Sequence, residues 1–373
     1  MTQHPDEHLI AELALSMATG VGPRLRRELT ESFGSAQHVF HQPPEALMMV
    51  RGIGAATVRS LRDPELFSRA RTAVQECHEK NIRLLMPESD CWPERLTEIC
   101  DPPGVLYLRG ALLPADELAV AVVGSRRCTT YGRRQAERIG ASLARAGLTV
   151  ISGLARGVDS AAHRGALNAG GRTIAVLASG VRDIYPPENA DLAEQITHQG
   201  ALLSEQPLDQ APRPGLFPQR NRIVSGMCLG VVVVEATRRS GALYTARHAM
   251  EQGREVFAVP GPVDSMASDG CHELIRDGVT LVRNVDDILK GLGPLPTPAS
   301  MAHNIVVHNP REMALNAIET EILNLISTSP IPVDHILRTT QLDPSRVLAT
   351  LTVLEMRRFI RRLPGNQLVR HDL

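Results

Sequence analysis

Lysine is almost missing from this 373-residue chain: of its 40 lysine and arginine residues only Lys80 and Lys290 are lysines. Basic charge therefore resides on guanidinium groups, which pair with phosphate through a planar fork and stack on rings. A GC-rich codon supply produces the same bias, so the bias alone names no partner. Aromatic residues are scarce at 3%, which makes any ring set among charged loop residues conspicuous. The six cysteines are Cys77, Cys91, Cys100, Cys128, Cys228 and Cys271. None forms a CxxC pair and no histidine cluster stands beside them, which argues against a zinc site and a disulfide framework. They read as cytosolic thiols that fill the core. No run reaches the roughly 18 apolar residues of a membrane span. The acidic N-terminal stretch MTQHPDEHLIAELAL lacks the basic flank of a signal peptide. A cytoplasmic protein with no membrane association is expected.

The charge that is present is unevenly placed. The net charge is −1, yet Arg126, Arg127, Arg133, Arg134, Arg138, Arg145, Arg156 and Arg164 face only Glu137 and Asp159 between Gly124 and Arg164. A basic patch on a balanced chain marks a polyanion site; a solvated helix face is the alternative reading.

Three blocks follow from the pattern. The first 80 or so residues place Leu9, Leu13, Leu15, Leu25 and Leu29 at helical spacing. The middle block alternates apolar strands with amphipathic helices. Strands are predicted at 120–123, 149–151, 173–177, 201–203, 231–234 and 256–259, and helices at 131–146, 160–169, 192–199 and 243–252. Unbroken apolar strands separated by helices signify a parallel sheet covered on both faces. Ligands of such sheets bind beyond the carboxyl ends of the strands. GLGPLPTPAS at 291–300 reads as a linker. Beyond it, helices are predicted at 319–327, 333–338 and 344–357, and residues 359–360 and 368–369 flank the turn residues Pro364, Gly365 and Asn366.

The strand-end loops carry the chemistry. The first holds Gly124, Ser125, Arg126 and Arg127: a sharp turn, a hydroxyl, guanidinium forks, and N–H groups at a helix start that can hold a phosphate. No GxGxxG is present, and Ser152-Gly153 stands where a ribose-binding carboxylate would be expected, so no dinucleotide cofactor is expected. The second loop, GLARGVDSAAH at 153–163, supplies Gly153, Arg156 and Gly157. Its Asp159 reads as a helix N-cap rather than a catalytic group, and His163 as structural. SGVRDIYPPEN at 179–189 is read as a third loop. LFPQRNRIVSG at 216–226 is read as a fourth, with Phe217, Arg220, Asn221 and Arg222. An aromatic beside guanidinium groups suits single-stranded nucleic acid, which needs a stacking platform and phosphate partners. Tyr131 and Tyr185 either join that platform or pack beneath loops. Ser240 and Gly241 open a helix after an apolar strand and offer N–H groups at the same rim. Glu235 has no second carboxylate or nucleophile spaced to work with it and reads as structural. No catalytic residue and no metal ligand are expected.

The ordered segments GSR, GLARGVDSAAH, FPQRNRIVSG, SGALYTARHAMEQGREVFAVPG and GCHELIRDG, running from Gly124 to Gly278, closely resemble the DNA-processing protein A (DprA/Smf) family. The resemblance implies an extended Rossmann-like, doubly wound, mostly parallel α/β sheet. It implies single-stranded DNA as a partner bound without sequence preference. It also implies a homodimer that delivers incoming DNA to the RecA recombinase during natural transformation, without enzymatic activity. Arg126 and Arg156 match positions where the family presents basic residues to phosphates, and residues 217–222 match its DNA-facing segment. Tyr244 departs from the family, which usually has an aliphatic residue there. Gly20-Val21-Gly22-Pro23 and Gly52-Ile53-Gly54 resemble the turns of the family's SAM-like, tandem helix-hairpin-helix N-terminal domain. The C-terminal helices and hairpin resemble a winged helix, which binds DNA or protein. The expected domains are 1–85 (helical), 86–290 (DNA-binding), 291–311 (linker) and 312–373 (winged helix). Two other readings are a nucleoside-monophosphate phosphoribohydrolase on the same scaffold and a winged-helix transcription regulator. The first requires a PGGxGTxxE segment where this chain has EATRRSGALYTARHA.

Overall fold

A computed structural model describes residues 7–294, 299–300, 306–307, 309–327 and 329–371. Residues 295–298 of the expected linker lie outside the described residues. The chain divides into two compact units between Asp287 and Ile288. No helix among the described residues is long and apolar enough to cross a membrane.

The first unit begins with six helices: α1 (Glu7–Met17), α2 (Pro23–Phe33), α3 (Ala36–His41), α4 (Pro44–Met48), α5 (Ala55–Leu61) and α6 (Leu66–Glu79). Gly20 and Gly52 turn the chain at φ +90° and +93°, a region that side-chain-bearing residues avoid. Each turn packs on the other hairpin: a Cβ on Gly20 would lie 3.0 Å from Thr57, and one on Gly52 would lie 3.9 Å from Leu25. The buried faces of these helices, including Leu13, Leu29 and Leu47, share one apolar cluster with Tyr107, Leu177 and Leu202 of the sheet.

Then follow β1 (Arg83–Leu85), β2 (Leu106–Gly110), β3 (Ala119–Val123), α7 (Thr130–Arg145), β4 (Thr149–Ser152), α8 (Val158–Asn168), β5 (Thr173–Leu177), α9 (Ala190–Gln199) and β6 (Gly200–Ser204). The unit continues with α10 (Leu216–Gly226), β7 (Gly230–Val233), α11 (Ala242–Glu251), β8 (Glu255–Ala258), α12 (Asp269–Arg276) and β9 (Thr280–Leu281); α13 (Val285–Leu292) spans the division between the units. The nine strands form one sheet in the order β1-β2-β6-β5-β4-β3-β7-β8-β9. All pairs from β6 to β9 are parallel, and β1 and β2 extend the β6 edge antiparallel. The parallel sheet expected from the apolar runs is therefore present, in the Rossmann-like, mostly parallel form that the resemblance implies. Side chains alternate across it as the strand period requires: Ile174 and Val176 join the cluster around Trp92, Ile223 and Ala246, while Ala175 and Leu177 join the helical side. The chain winds outward from β3 through β4, β5 and β6, then returns to lay β7 against the other flank of β3. The crevice at such a reversal is where ligands of open α/β sheets bind.

Two expectations need correction. Residues 216–226, read as a loop, form the helix α10. Pro218 lies in its first turn, where a missing N–H breaks no helical hydrogen bond, and Ile223 and Val224 supply a buried face. Asp159 is not the N-cap of α8; that position is Gly157. The Asp159 carboxylate instead accepts from Gly153 N at 3.1 Å and Ala155 N at 3.4 Å, holding the preceding loop.

The second unit contains β10 (Ala299–Ser300) paired with β11 (Val306–Val307), then α14 (Ala317–Asn324), β12 (Ile331–Pro332), α15 (Val333–Thr339), α16 (Pro344–Met356), β13 (Ile360–Leu363) and β14 (Gln367–Arg370). Asn316 caps α14, accepting from Ile318 N and Glu319 N, while Glu319 returns the bond to Asn316 N. Strands β12, β14 and β13 form an antiparallel sheet. Its tight turn uses Gly365 at φ +82° and Asn366 at +54°. Three helices over a small sheet with one projecting hairpin make a winged helix. Ile322, Ile336, Leu351 and Leu368 lie in its own core.

One buried titratable group in the first unit makes a stability prediction. His163 is fully buried, and its Nδ1 lies 2.7 Å from Thr173 Oγ1, which donates to Val150 O. The hydroxyl's one proton is thus used, so Nδ1 carries the imidazole proton. Burial, followed by the charges of Arg220 and Arg164, lowers the His163 pKa to about 3. Below the ordinary value the unfolded chain takes up a proton that the folded chain refuses. Stability is accordingly lost as pH falls from about 6.5 toward 3, at roughly 1.4 kcal/mol per pH unit. His163→Asn keeps a partner for Thr173 and removes the titration. In urea unfolding followed through Trp92, the advantage of wild type over this variant should shrink by about that slope between roughly pH 6 and pH 4. An advantage that stays constant across this window would show that His163 does not resist protonation.

Candidate nucleic-acid interface

The loops after β3, β4 and β7 are held together by their backbones. Ser125 N donates to Glu235 O at 2.7 Å, and Val158 N donates to Ser125 O at 3.2 Å. Glycine is required where they cross: a Cβ on Gly124 would lie 2.6 Å from the Val158 side chain. One on Gly157, at φ +78°, would lie 2.3 Å from Ser125 O. Glu235 is buried and structural. Its carboxylate accepts from Thr129 N at 2.8 Å and Thr129 Oγ1 at 2.5 Å. Thr129 Oγ1 in turn accepts from Gly132 N. The first turn of α7 is thus capped by the protein itself at Gly132 N, so fewer of its amides are left for a phosphate. Ser240 does the same at the start of α11, where its hydroxyl accepts from Ala242 N at 3.4 Å.

These loops surround a cleft of about 940 Å³ at the carboxyl ends of the strands. The structure brings Gly124, Ser125, Arg126, Arg127, Gly153, Phe217, Arg220, Asn221, Ser240 and Gly241 together along its walls. Arg156 lies in an adjoining niche that also touches Arg126, Tyr185 and Phe217. Gly157 lies behind the wall as a packing residue.

The arginines divide by their partners. Arg126 and Arg127 are exposed and have no carboxylate partner among the described residues. The Arg126 guanidinium lies 4.5 Å from the centre of the Phe217 ring, and that ring meets Tyr185 edge-on at 5.9 Å. Arg156 is 5.8 Å from the Tyr185 ring and pairs with Glu188, whose carboxyl it holds below the usual range. Arg220 is buried, and its Nη1 donates to the carbonyls of Gly153 and Val176, tying α10 to β4 and β5. Burial lowers its pKa to about 10, and nearby Asp159 opposes that shift. Asp159 is itself pushed up by burial and held down by Arg220 and its two amides. Among the described residues it is the one carboxylate on the cleft wall.

Arg222 is not with this group. It is buried and pairs with Asp101 at 3.1 Å and Glu205 at 2.7 Å. The reason is helical geometry: Phe217, Arg220 and Asn221 stand at one-turn spacing, whereas Arg222 is turned about 200° from Arg220. Arg239 was missed. It lines the cleft without a carboxylate partner among the described residues, while Arg238 beside it pairs with Asp269 and Glu273. The RR dipeptide is visible in the sequence, but nothing local says which arginine turns inward. Tyr131 leaves the stacking question on the packing side, since its hydroxyl donates to Pro260 O at 2.7 Å. Among the described residues no group of three or more His, Cys, Asp or Glu side chains can hold a metal ion.

Residues 83–293 match the family model of DNA recombination-mediator protein A, and residues 308–366 match the DprA winged helix domain. Protein Smf of Escherichia coli is 40% identical over 290 residues, covering 77% of either chain. The DNA processing protein DprA of Streptococcus pneumoniae is 40% identical over 238 residues, covering 63% of this chain and 84% of its own. The X-ray structure of the Streptococcus protein superposes with a TM-score of 0.62 at 34% identity, covering 77% of this chain and 98% of that one. A structure of DNA processing protein A from Helicobacter pylori, described by its single-stranded DNA binding mode, superposes with a TM-score of 0.51 at 31% identity, covering 57% and 95%. The two family models together take in most of the sequence, and the chain belongs to the DNA recombination-mediator protein A family.

Proposed function

We propose that the cleft binds single-stranded DNA without sequence preference, and that the chain, as a homodimer without catalytic activity, delivers the strand to the RecA recombinase during DNA uptake. The observation that carries this reading is the Arg126 guanidinium lying over Phe217 at the cleft wall with no carboxylate partner among the described residues. Arg127 and Arg239 add unpaired positive charge to the same walls. A phosphate backbone needs such charges, and an unpaired base needs a ring face, which every base can use equally well. That equality is why stacking does not select sequence. The reported single-stranded DNA binding of the Helicobacter relative supports carrying the ligand over. The family's description as a recombination mediator supports delivery to a recombinase. Asp159 is committed to two loop amides and Glu235 to Thr129, so neither is placed as a free acid or base. On this reading residues 1–85 are a helix-hairpin-helix module, 86–290 the strand-binding domain, 291–311 a linker and 312–373 the winged helix.

Arg126→Ala should weaken binding of unpaired oligonucleotides of every sequence and reduce the log–log salt slope by about 0.7, the share of one single-strand phosphate. An unchanged slope and affinity would remove Arg126 from the interface. Phe217→Ala should weaken binding by roughly 1–3 kcal/mol while leaving the salt slope in place, because stacking releases few counterions. Arg220 acts by position. Arg220→Met leaves two carbonyls and Asp159 without their cation and should cost about 3 kcal/mol in urea unfolding. A cost below about 1 kcal/mol would show that the buried guanidinium does not hold the cleft loops.

A further inference from the structure

We infer that Tyr244 forms a second base-stacking station in the cleft, so that the bound strand is gripped at two aromatic positions rather than one. This rests on the strand-binding reading and extends it. Tyr244 lines the cleft and is the most exposed of the phenylalanine, tyrosine and tryptophan rings among the described residues, at 52%. In a chain with so few rings that exposure is costly, since burying a ring removes much apolar surface from water. Its hydroxyl has no hydrogen-bond partner among the described residues, unlike that of Tyr131, which reaches Pro260 O. No packing role therefore accounts for the ring. Arg247, one turn on in α11, lies 5.9 Å from the ring centre. Met266, 77% exposed, adds soft apolar surface to the same wall, and Arg239 brings a guanidinium for the backbone.

The placement relative to the first station is defined by one bond. Asn221 Nδ2 donates to Gly241 O at 3.3 Å, joining α10 to the start of α11. Phe217 lies one turn before Asn221 on α10, and Tyr244 lies just inside α11 beyond Gly241. The two rings thus flank that bond along one continuous cleft. A flexible strand that stacks one base on Phe217 and follows the arginines past Gly241 reaches Tyr244 with a later base. The ligand of this station is an unpaired base, with no base edge read.

The test is a titration of the full chain with thymidine oligomers of graded length. Tyr244→Leu should lose about tenfold in affinity, within the roughly five- to hundredfold expected of one stacked base, for oligomers long enough to reach both stations. It should bind the shortest oligomers as wild type does, with an unchanged salt slope. Tyr244→Phe should keep wild-type affinity, because the hydroxyl has no partner to lose. An oligomer carrying 5-iodouracil should photocross-link to Tyr244 in the long register. Equal affinity of Tyr244→Leu and wild type at every length would overturn the inference, as would an equal loss at every length. If Arg126→Ala and Phe217→Ala also left binding untouched, the strand-binding reading itself would fall. If those two weaken binding and Tyr244→Leu does not, only the second station falls.

Discussion

Three loops leave neighbouring parallel strands and would diverge if nothing held them; the paired backbone bonds from Ser125 N to Glu235 O and from Val158 N to Ser125 O prevent it. They join the ends of β3, β4 and β7 at the point where the strand order reverses. Everything on the cleft wall inherits its position from this crossing. The approach is so close that Gly124 and Gly157 tolerate no side chain. The Glu235 carboxylate then fixes Thr129 and with it the first turn of α7. One buried acid thus does locally what a bound phosphate does at other sheet reversals: it satisfies the donors at the loop end. The ligand-facing work is left to side chains, and guanidinium groups reach farther than amides.

Reach alone would not produce a polyanion site in a chain of net charge −1. Many arginines here are neutralised by carboxylates within ion-pair distance, as Arg26 is by Glu12, Arg172 by Asp116 and Arg222 by Glu205. Those pairs are partly or wholly buried, so the cations are held for structure. Arg126, Arg127 and Arg239 escape this pairing. The field that matters is a difference between paired and unpaired arginines, which bulk charge conceals.

The same distinction marks the limit of what could be read from sequence. The strand 173–177 and the helical periods of α7 and α11 were legible because a fully covered parallel sheet demands unbroken apolar runs with amphipathic helices between them. The hairpin at Pro364 to Asn366 was legible because its turn needs left-handed residues. Helix α10 was not: a proline, five polar residues and a glycine at either end resemble a loop until Ile223 and Val224 are seen to find a core. Strands β1 and β9 were missed because they are short edge elements whose pairing is decided by the sheet rather than by themselves, and β2, which lies between β1 and β6, was missed as well. Of the site, the loops and Phe217 were legible. Arg222 against Arg220, and Arg239 against Arg238, were not, because the orientation of one arginine relative to its neighbour depends on distant acids such as Asp101 and Glu273.

The arrangement of Arg126 over Phe217 has an energetic consequence for binding. In the free protein the ring face is covered by its own guanidinium, an attraction worth about 0.5–1 kcal/mol at an exposed site. On the proposed strand-binding reading, a base that takes this ring face displaces the cation, which is then free to meet the phosphate beside the same nucleotide. The loss on one side is offset by a charge-assisted contact on the other. The two contacts form together, so a nucleotide with base and phosphate is favoured over either part alone. An anion without a base, or a ring without a charge, gains only half of the exchange.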